Sequence, residues 1–132
     1  MVDAKTNIKF GWLWIFLGFV LGLVLGLFAF NGPLQVPAQF MDYTSLPRRL
    51  LRLSHISFIG LGFLNWMYGV SLMTMKLKPN NKISKLLIFG TVTMSLFLIF
   101  AAFYEPIKYL LVVPAVSLTL VAFLFLKQIV KN

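Results

Sequence analysis

Apolar residues run almost unbroken through four stretches, Phe10–Phe30, Leu50–Met75, Leu86–Tyr104 and Ile107–Leu126, and polar residues gather in the short links between them. A helix needs about 20 apolar residues to cross the hydrocarbon core of a bilayer, and each stretch has about that length. Three of the four lack the polar stripe that a water-facing helix carries. The pattern predicts an all-α protein, an integral membrane four-helix up-down bundle, with helices over about 8–31, 47–75, 83–104 and 106–127. The links leave no room for a second domain, so residues 1–132 form one unit.

Punctuation supports these boundaries. Asn31-Gly32-Pro33 is a breaker triplet, and Pro79-Asn80-Asn81 is a strong turn signal. Pro47 suits the first turn of the second helix, with Ser45 in range to cap it. Glu105-Pro106 separates the last two helices, and Tyr104 and Tyr109 flank that hairpin at the expected interface. Pro114 lies inside the fourth stretch and predicts a kink there. Lys5 and Lys9 ahead of the first stretch resemble a signal peptide, but 21 apolar residues exceed an h-region of roughly 7–15, so the segment is expected to be retained as a helix. The two hairpins differ in loop length, charge and glycine content, which gives an inverted repeat no support.

Composition then narrows the function classes. Only 11% of residues are charged, against roughly 25% in a soluble domain. The formal net charge is +9, but the bases sit at helix ends, where lipid headgroups account for them, and no basic patch points to nucleic acid. Eight Lys/Arg (Lys5, Lys9, Lys76, Lys78, Lys82, Lys85, Lys127, Lys131) fall on one predicted side and four (Arg48, Arg49, Arg52, Lys108) on the other. The positive-inside rule then predicts both termini in the cytoplasm. The chain has no cysteine, which excludes disulfides, thiolate metal sites and covalent haem attachment.

Two helix faces stand out. In the first helix Gly11, Gly18, Gly22 and Gly26 share a face, a spacing that lets helix backbones approach closely in lipid. Such a face serves either packing within the chain, against the second or the fourth helix, or a seam to another protein chain or a second copy; Gly62 and Gly69 of the second helix are also read as packing positions. Trp12 and Trp14 read as interface anchors. In the second helix Arg48, Arg52 and His55 share one face, Arg49 lies beside them, Gly62 and Gly69 lie below, and Asn65 is on an adjacent flank, where it and Tyr68 are also expected to bond across helices.

Arginines there can snorkel to the headgroups, whereas an imidazole one turn deeper should face protein or a cavity. One reading is self-satisfaction: the arginines pair with Asp42, Glu105 or lipid phosphate, and His55 bonds a neighbouring helix. A second is haem b, with His55 as iron ligand, the arginines on the propionates, space at Gly62 for the macrocycle, and a sixth ligand such as Met94, a partner subunit, or none. A third uses Arg48, Arg49, Arg52, His55 and Asn65 for a quinone or lipid headgroup. A non-haem metal site lacks a ligand set, and the methionines read as packing filler. Ser71, Thr74, Thr91, Thr93 and Ser95 can bond their own helix backbones. Asp3, Asp42 and Glu105 all lie at or outside the interfaces, so His55 has no intramembrane acid to work with as an enzyme base.

The expectation is a small non-catalytic subunit or accessory protein of a larger membrane complex, in contact with lipid and with other subunits or copies of itself. The alternative is a stand-alone carrier or channel for a small anion. That alternative needs a continuous polar path, for which the first, third and fourth helices offer few residues.

Overall fold

The computed structural model describes residues 4–29 and 32–131. Asp3, and Phe30 and Asn31 at the end of the first apolar stretch, lie outside the described residues. Among those described, the chain is helical without strands: α1 is Ala4–Gly26, α2 Leu46–Thr74, α3 Asn81–Phe103 and α4 Val112–Val130. Short 3₁₀ segments cover Ala38–Phe40 and Glu105–Leu111. Counting the 3₁₀ segment with α4, all four helices are long and apolar enough to cross a membrane.

The helix ends follow from particular residues. Pro47 occupies the first turn of α2 as expected, but Ser45, although at the cap position, makes no side-chain cap bond and its buried hydroxyl has no partner. The cap the sequence reading missed is Asn80, whose side chain accepts from the amides of Lys82 and Ile83 and starts α3 two residues early. At the end of α2, Lys76 takes a left-handed φ of 53° and the Leu77 amide bonds back to the Leu72 carbonyl at 3.0 Å. This is a Schellman stop. Leu72 and Leu77 are both buried in one apolar cluster with Tyr68, Ile83, Leu87 and Val121, so burial holds a lysine where glycine is usual.

The expected kink at Pro114 is replaced by a change of helix type. Pro114 has no amide to offer the Leu110 carbonyl four residues back, and the chain ahead of it winds as 3₁₀ from Glu105 to Leu111. Pro114 therefore sits in the first turn of α4, buried. Glu105 and Lys108 pair within the 3₁₀ segment.

Each helix packs on its chain neighbours, and α4 leans on α3. The Ser117 hydroxyl of α4 donates to the Leu86 carbonyl at 2.9 Å, and the missing side chain at Gly90 makes room for Leu118. Positions fall along α2 as they rise along α1: Gly11 meets Gly62 and Trp66, Gly18 meets Phe58 and Ile59, and Gly22 meets His55. Tyr68 of α2 reaches Phe125 of α4 edge to face, with ring centroids 5.1 Å apart.

Buried polar side chains join the first three helices at two levels. At the lysine end, the Asn7 amide donates to the Asn65 side-chain oxygen at 3.1 Å, and the Asn65 amide donates to Leu61 carbonyl and to Thr91 hydroxyl at 2.9 and 2.8 Å. Ser84 donates to Asn7. One level further along, the Trp14 indole and the Ser57 hydroxyl donate to the Ser95 hydroxyl at 3.1 and 3.0 Å, and Ser54 donates to the Ser95 carbonyl at 3.0 Å. Thr74 and Thr93 bond their own helices as expected, whereas Thr91 and Ser95 bond across. Trp14 is likewise corrected from interface anchor to core: it is 8% exposed and stacks between Phe10 and Phe58. Trp12 is exposed.

Candidate functional site: a basic-mouthed cleft between α1 and α2

The glycine face of α1 sets where this site begins. A Cβ on Gly11 would lie 2.6 Å from the Gly62 carbonyl oxygen and 2.7 Å from the Trp66 amide nitrogen. On Gly18 it would lie 2.6 Å from Ile59, and on Gly22 2.6 Å from His55 Nε2. Gly62 and Gly69 answer from α2, with Cβ positions 2.9 Å from the Gly11 carbonyl and 2.6 Å from the Ala4 carbonyl. These five glycines are spent on contact between α1 and α2 inside one chain. Gly26, one turn beyond Gly22, is different: a Cβ there would meet nothing within 4 Å. The two helices part after His55.

The space they leave is a cleft of about 670 Å³. Its walls are apolar, with Leu21 and Leu25 from α1, Leu51 from α2, and Ile99 and Phe103 from α3. Phe40 and Tyr43, from the link between α1 and α2, close over one side. Arg48, Arg52 and His55 are the ionisable groups that line it, all half-buried. A second hollow of about 420 Å³ lies against Arg48, bordered by Phe28, Gly32 and Gln35.

The arginines fasten the link to α2. Arg48 Nη1 donates to the carbonyls of Phe40 and Met41, both at 3.2 Å, and Arg52 Nη2 donates more weakly to the Tyr43 carbonyl at 3.4 Å. Both guanidinium carbons sit over the Tyr43 ring, 4.9 and 4.3 Å from its centroid, a favourable cation–π distance. Neither arginine meets a carboxylate among the described residues. Asp42 accepts from the Thr44 amide and hydroxyl at 2.8 Å each, and those bonds, with the charges of Arg48 and Arg49 behind them, hold its carboxyl below the ordinary aspartate value. Glu105 is taken by Lys108, the one ion pair among the described residues. The expected pairing of the arginines with Asp42 or Glu105 is thus absent there. The Arg49 side chain is exposed and forms no ion pair with any described residue.

Three sequence expectations are corrected by these positions. Asn65 is not at the mouth: it lies ten residues from His55, about 15 Å along the helix, fully buried and bonded on both sides of its amide. Gly62 offers no room for a macrocycle, because Gly11 and Ile15 of α1 fill it. Met94 packs into the apolar cluster of Leu50 and Leu98 rather than facing His55 across the cleft.

Haem geometry suffers further at the imidazole. A metal–imidazole bond is about 2 Å long, and His55 Nε2 is covered by α1 at Gly22. An iron on that nitrogen would press its porphyrin into the α1 backbone. What the arrangement can do is hold a molecule with an anionic end and an apolar body. The guanidiniums retain unused N–H donors, and the walls below them ask for hydrocarbon. Comparison with protein family models, curated proteins and solved structures finds no match for this chain.

Proposed function

We propose that the chain is a multi-pass membrane protein, an up-down bundle with both termini in the cytoplasm. In this reading it is a non-catalytic accessory subunit that holds an anionic amphiphile in the cleft between α1 and α2. The single observation that carries the ligand is the pair Arg48 and Arg52, two guanidiniums with no carboxylate partner among the described residues, at the mouth of an apolar cleft. Such charges are expensive at membrane depth unless an anion or the headgroup layer meets them, and a helix N-terminus adds partial positive charge to the same spot. The accessory role is supported by the broad apolar outer faces of α1 and α4, including Phe16, Phe19, Leu23, Val116 and Phe123, and by a cleft around His55 that no acid among the described residues lines. The carboxamides, the Trp14 indole and the serine and threonine hydroxyls buried between α1, α2 and α3 bond one another in two compact sets, which disfavours the anion-carrier alternative.

Native mass spectrometry of the protein released from nanodiscs tests both parts together. An anionic amphiphile should stay bound while a zwitterionic one is lost, and partner chains should appear at fixed ratio when the protein is drawn from its own membrane. Equal retention of both amphiphiles in wild type and in Arg48→Gln/Arg52→Gln would overturn the ligand reading. A Soret band in the visible spectrum, lost in His55→Ala, would return the assignment to haem.

A further inference from the structure

An anionic amphiphile in the cleft between α1 and α2 needs a source and a route of entry. Resting on that reading, we propose that the occupant is an anionic phospholipid of the arginine-side leaflet, with one acyl chain lying in the cleft and reaching it sideways over Gly26.

Helix contact stops between two consecutive glycines of one face. Gly22 is pressed on His55, and Gly26 faces open space while lining the cleft. A missing side chain that nothing fills makes an opening in the wall, and Gly26 is exposed. In a bilayer that opening meets acyl chains. The occupant is therefore drawn from the solvent itself, at a concentration no dilute metabolite reaches.

Charge then selects among lipids. Moving an acyl chain from bilayer to an apolar cleft gains little, because lipid is as apolar as the walls, so selectivity must come from the head. Arg48 stands between the cleft and the 420 Å³ hollow beside Gly32 and Gln35. A phosphate placed there meets Arg48 on one side with Arg52 one turn below and Arg49 alongside. A zwitterionic head brings its own ammonium and satisfies its phosphate without them. A basic residue at a membrane surface is worth roughly a five-fold preference for an anionic lipid.

The test uses the whole chain in phosphatidylcholine nanodiscs doped with phosphatidylglycerol that carries a photoreactive diazirine in mid-chain. Labelled residues are mapped by mass spectrometry. Wild type should be labelled on the cleft walls, at Leu21, Leu25, Ile99 or Phe103, well above the outward-facing Leu120 of α4. Gly26→Leu, which has room to fold, should reduce cleft labelling to the Leu120 level. Arg48→Gln and Arg52→Gln should each reduce the preference for the phosphatidylglycerol probe over a phosphatidylcholine probe by roughly five-fold, with labelling still in the cleft. Wild-type cleft labelling that matches Leu120, or a Gly26→Leu protein labelled like wild type, overturns this inference while an arginine-dependent preference leaves the anionic-amphiphile reading standing. Loss of that preference in wild type itself sinks both. Displacement of the probe by free fatty acid or by a quinone at equal mole fraction overturns the phospholipid assignment.

Discussion

The same two helices, α1 and α2, meet in two ways along their length. From Ala4 to Gly22 they touch backbone to backbone, with glycines interleaved and a closed set of amide and hydroxyl bonds behind them. Beyond Gly22 they separate around an apolar space with arginines at its rim. One helix face carries glycines through both parts, so the glycines alone do not decide the outcome. What differs is the residue opposite. Gly62 and Gly69 let α1 close in, and Gly18 and Gly22 take the side chains of Ile59 and His55 in the same way, whereas nothing comes within 4 Å of the space a side chain on Gly26 would fill. A glycine closes a joint only where a group stands opposite it, and where none does it leaves a cavity.

The comparison is broken most severely in the closed part. Gly11→Ala and Gly62→Ala would each force a methyl group to within 3 Å of the opposing backbone, and each should cost at least about 1–3 kcal/mol in detergent unfolding followed by circular dichroism. Gly26→Ala should leave the midpoint unchanged. Equal midpoints for Gly11→Ala and Gly26→Ala would show that the two parts do not differ as described.

Next in size is Asn65→Ala. It strands the Asn7 amide and the Thr91 hydroxyl, and interhelical hydrogen bonds in membranes are worth about 0.6 kcal/mol each on average, up to about 1.7. A loss of about 1–2 kcal/mol should appear in the same assay, with amphiphile retention unaltered. Weakened retention would mean that Asn65 does serve the cleft.

Arg52→Gln sharpens the open part. It should move the unfolding midpoint little, since its bond to the Tyr43 carbonyl is long, and should make the Ala38–Thr44 segment more accessible to limited proteolysis.

The smallest effect concerns Asp42. Its carboxyl is held below the ordinary 3.8 by Thr44, so the contribution of this turn is complete above 3.8 and disappears as pH falls through the lower folded value. Carbon-detected NMR of the Asp42 carboxyl should show a midpoint below 3.8 that rises only part of the way back in Thr44→Val, which removes the hydroxyl bond and keeps the amide bond.

Much of this architecture was readable from residue order. Runs of apolar residues of bilayer length, with Pro47, Pro79 and Glu105-Pro106 between them, mark four helices, although α1 runs over Ala4–Gly26 rather than 8–31 and α4 begins at Val112 rather than 106. The helix faces were harder. Ser54, Phe58, Gly62, Asn65 and Gly69 step by four, four, three and four, and Ser84, Leu87, Thr91, Ser95 and Leu98 by three, four, four and three. Those heptad-like steps mark the surfaces that α2 and α3 bury, and small polar residues inside them signal bonds across helices rather than local ones. Asn65 was grouped with Arg52 and His55 because all three are polar and lie on neighbouring flanks, but position along the axis separates them. The cleft itself depends on where α1 and α2 diverge, a balance between opposing side chains that neither helix displays alone. Trp14 looked like an anchor by its nearness to the end of its helix, and only the location of Ser95, 81 residues later, reveals what its indole is for.

Ser95 also constrains how the protein is made. It accepts from Trp14 and from Ser57 and lends its carbonyl to Ser54, and Thr91 and Ser84 complete Asn65 and Asn7 from the same helix. Until α3 leaves the ribosome, the first hairpin carries the Trp14 indole and the Ser54 hydroxyl without their partner, and Asn7, Asn65 and Ser57 with only part of theirs. If the chain inserts in a membrane as proposed, lateral release of that hairpin into lipid before α3 arrives would leave those groups unsatisfied, and biogenesis should favour a translocon or chaperone that detains the first two segments until the third can join.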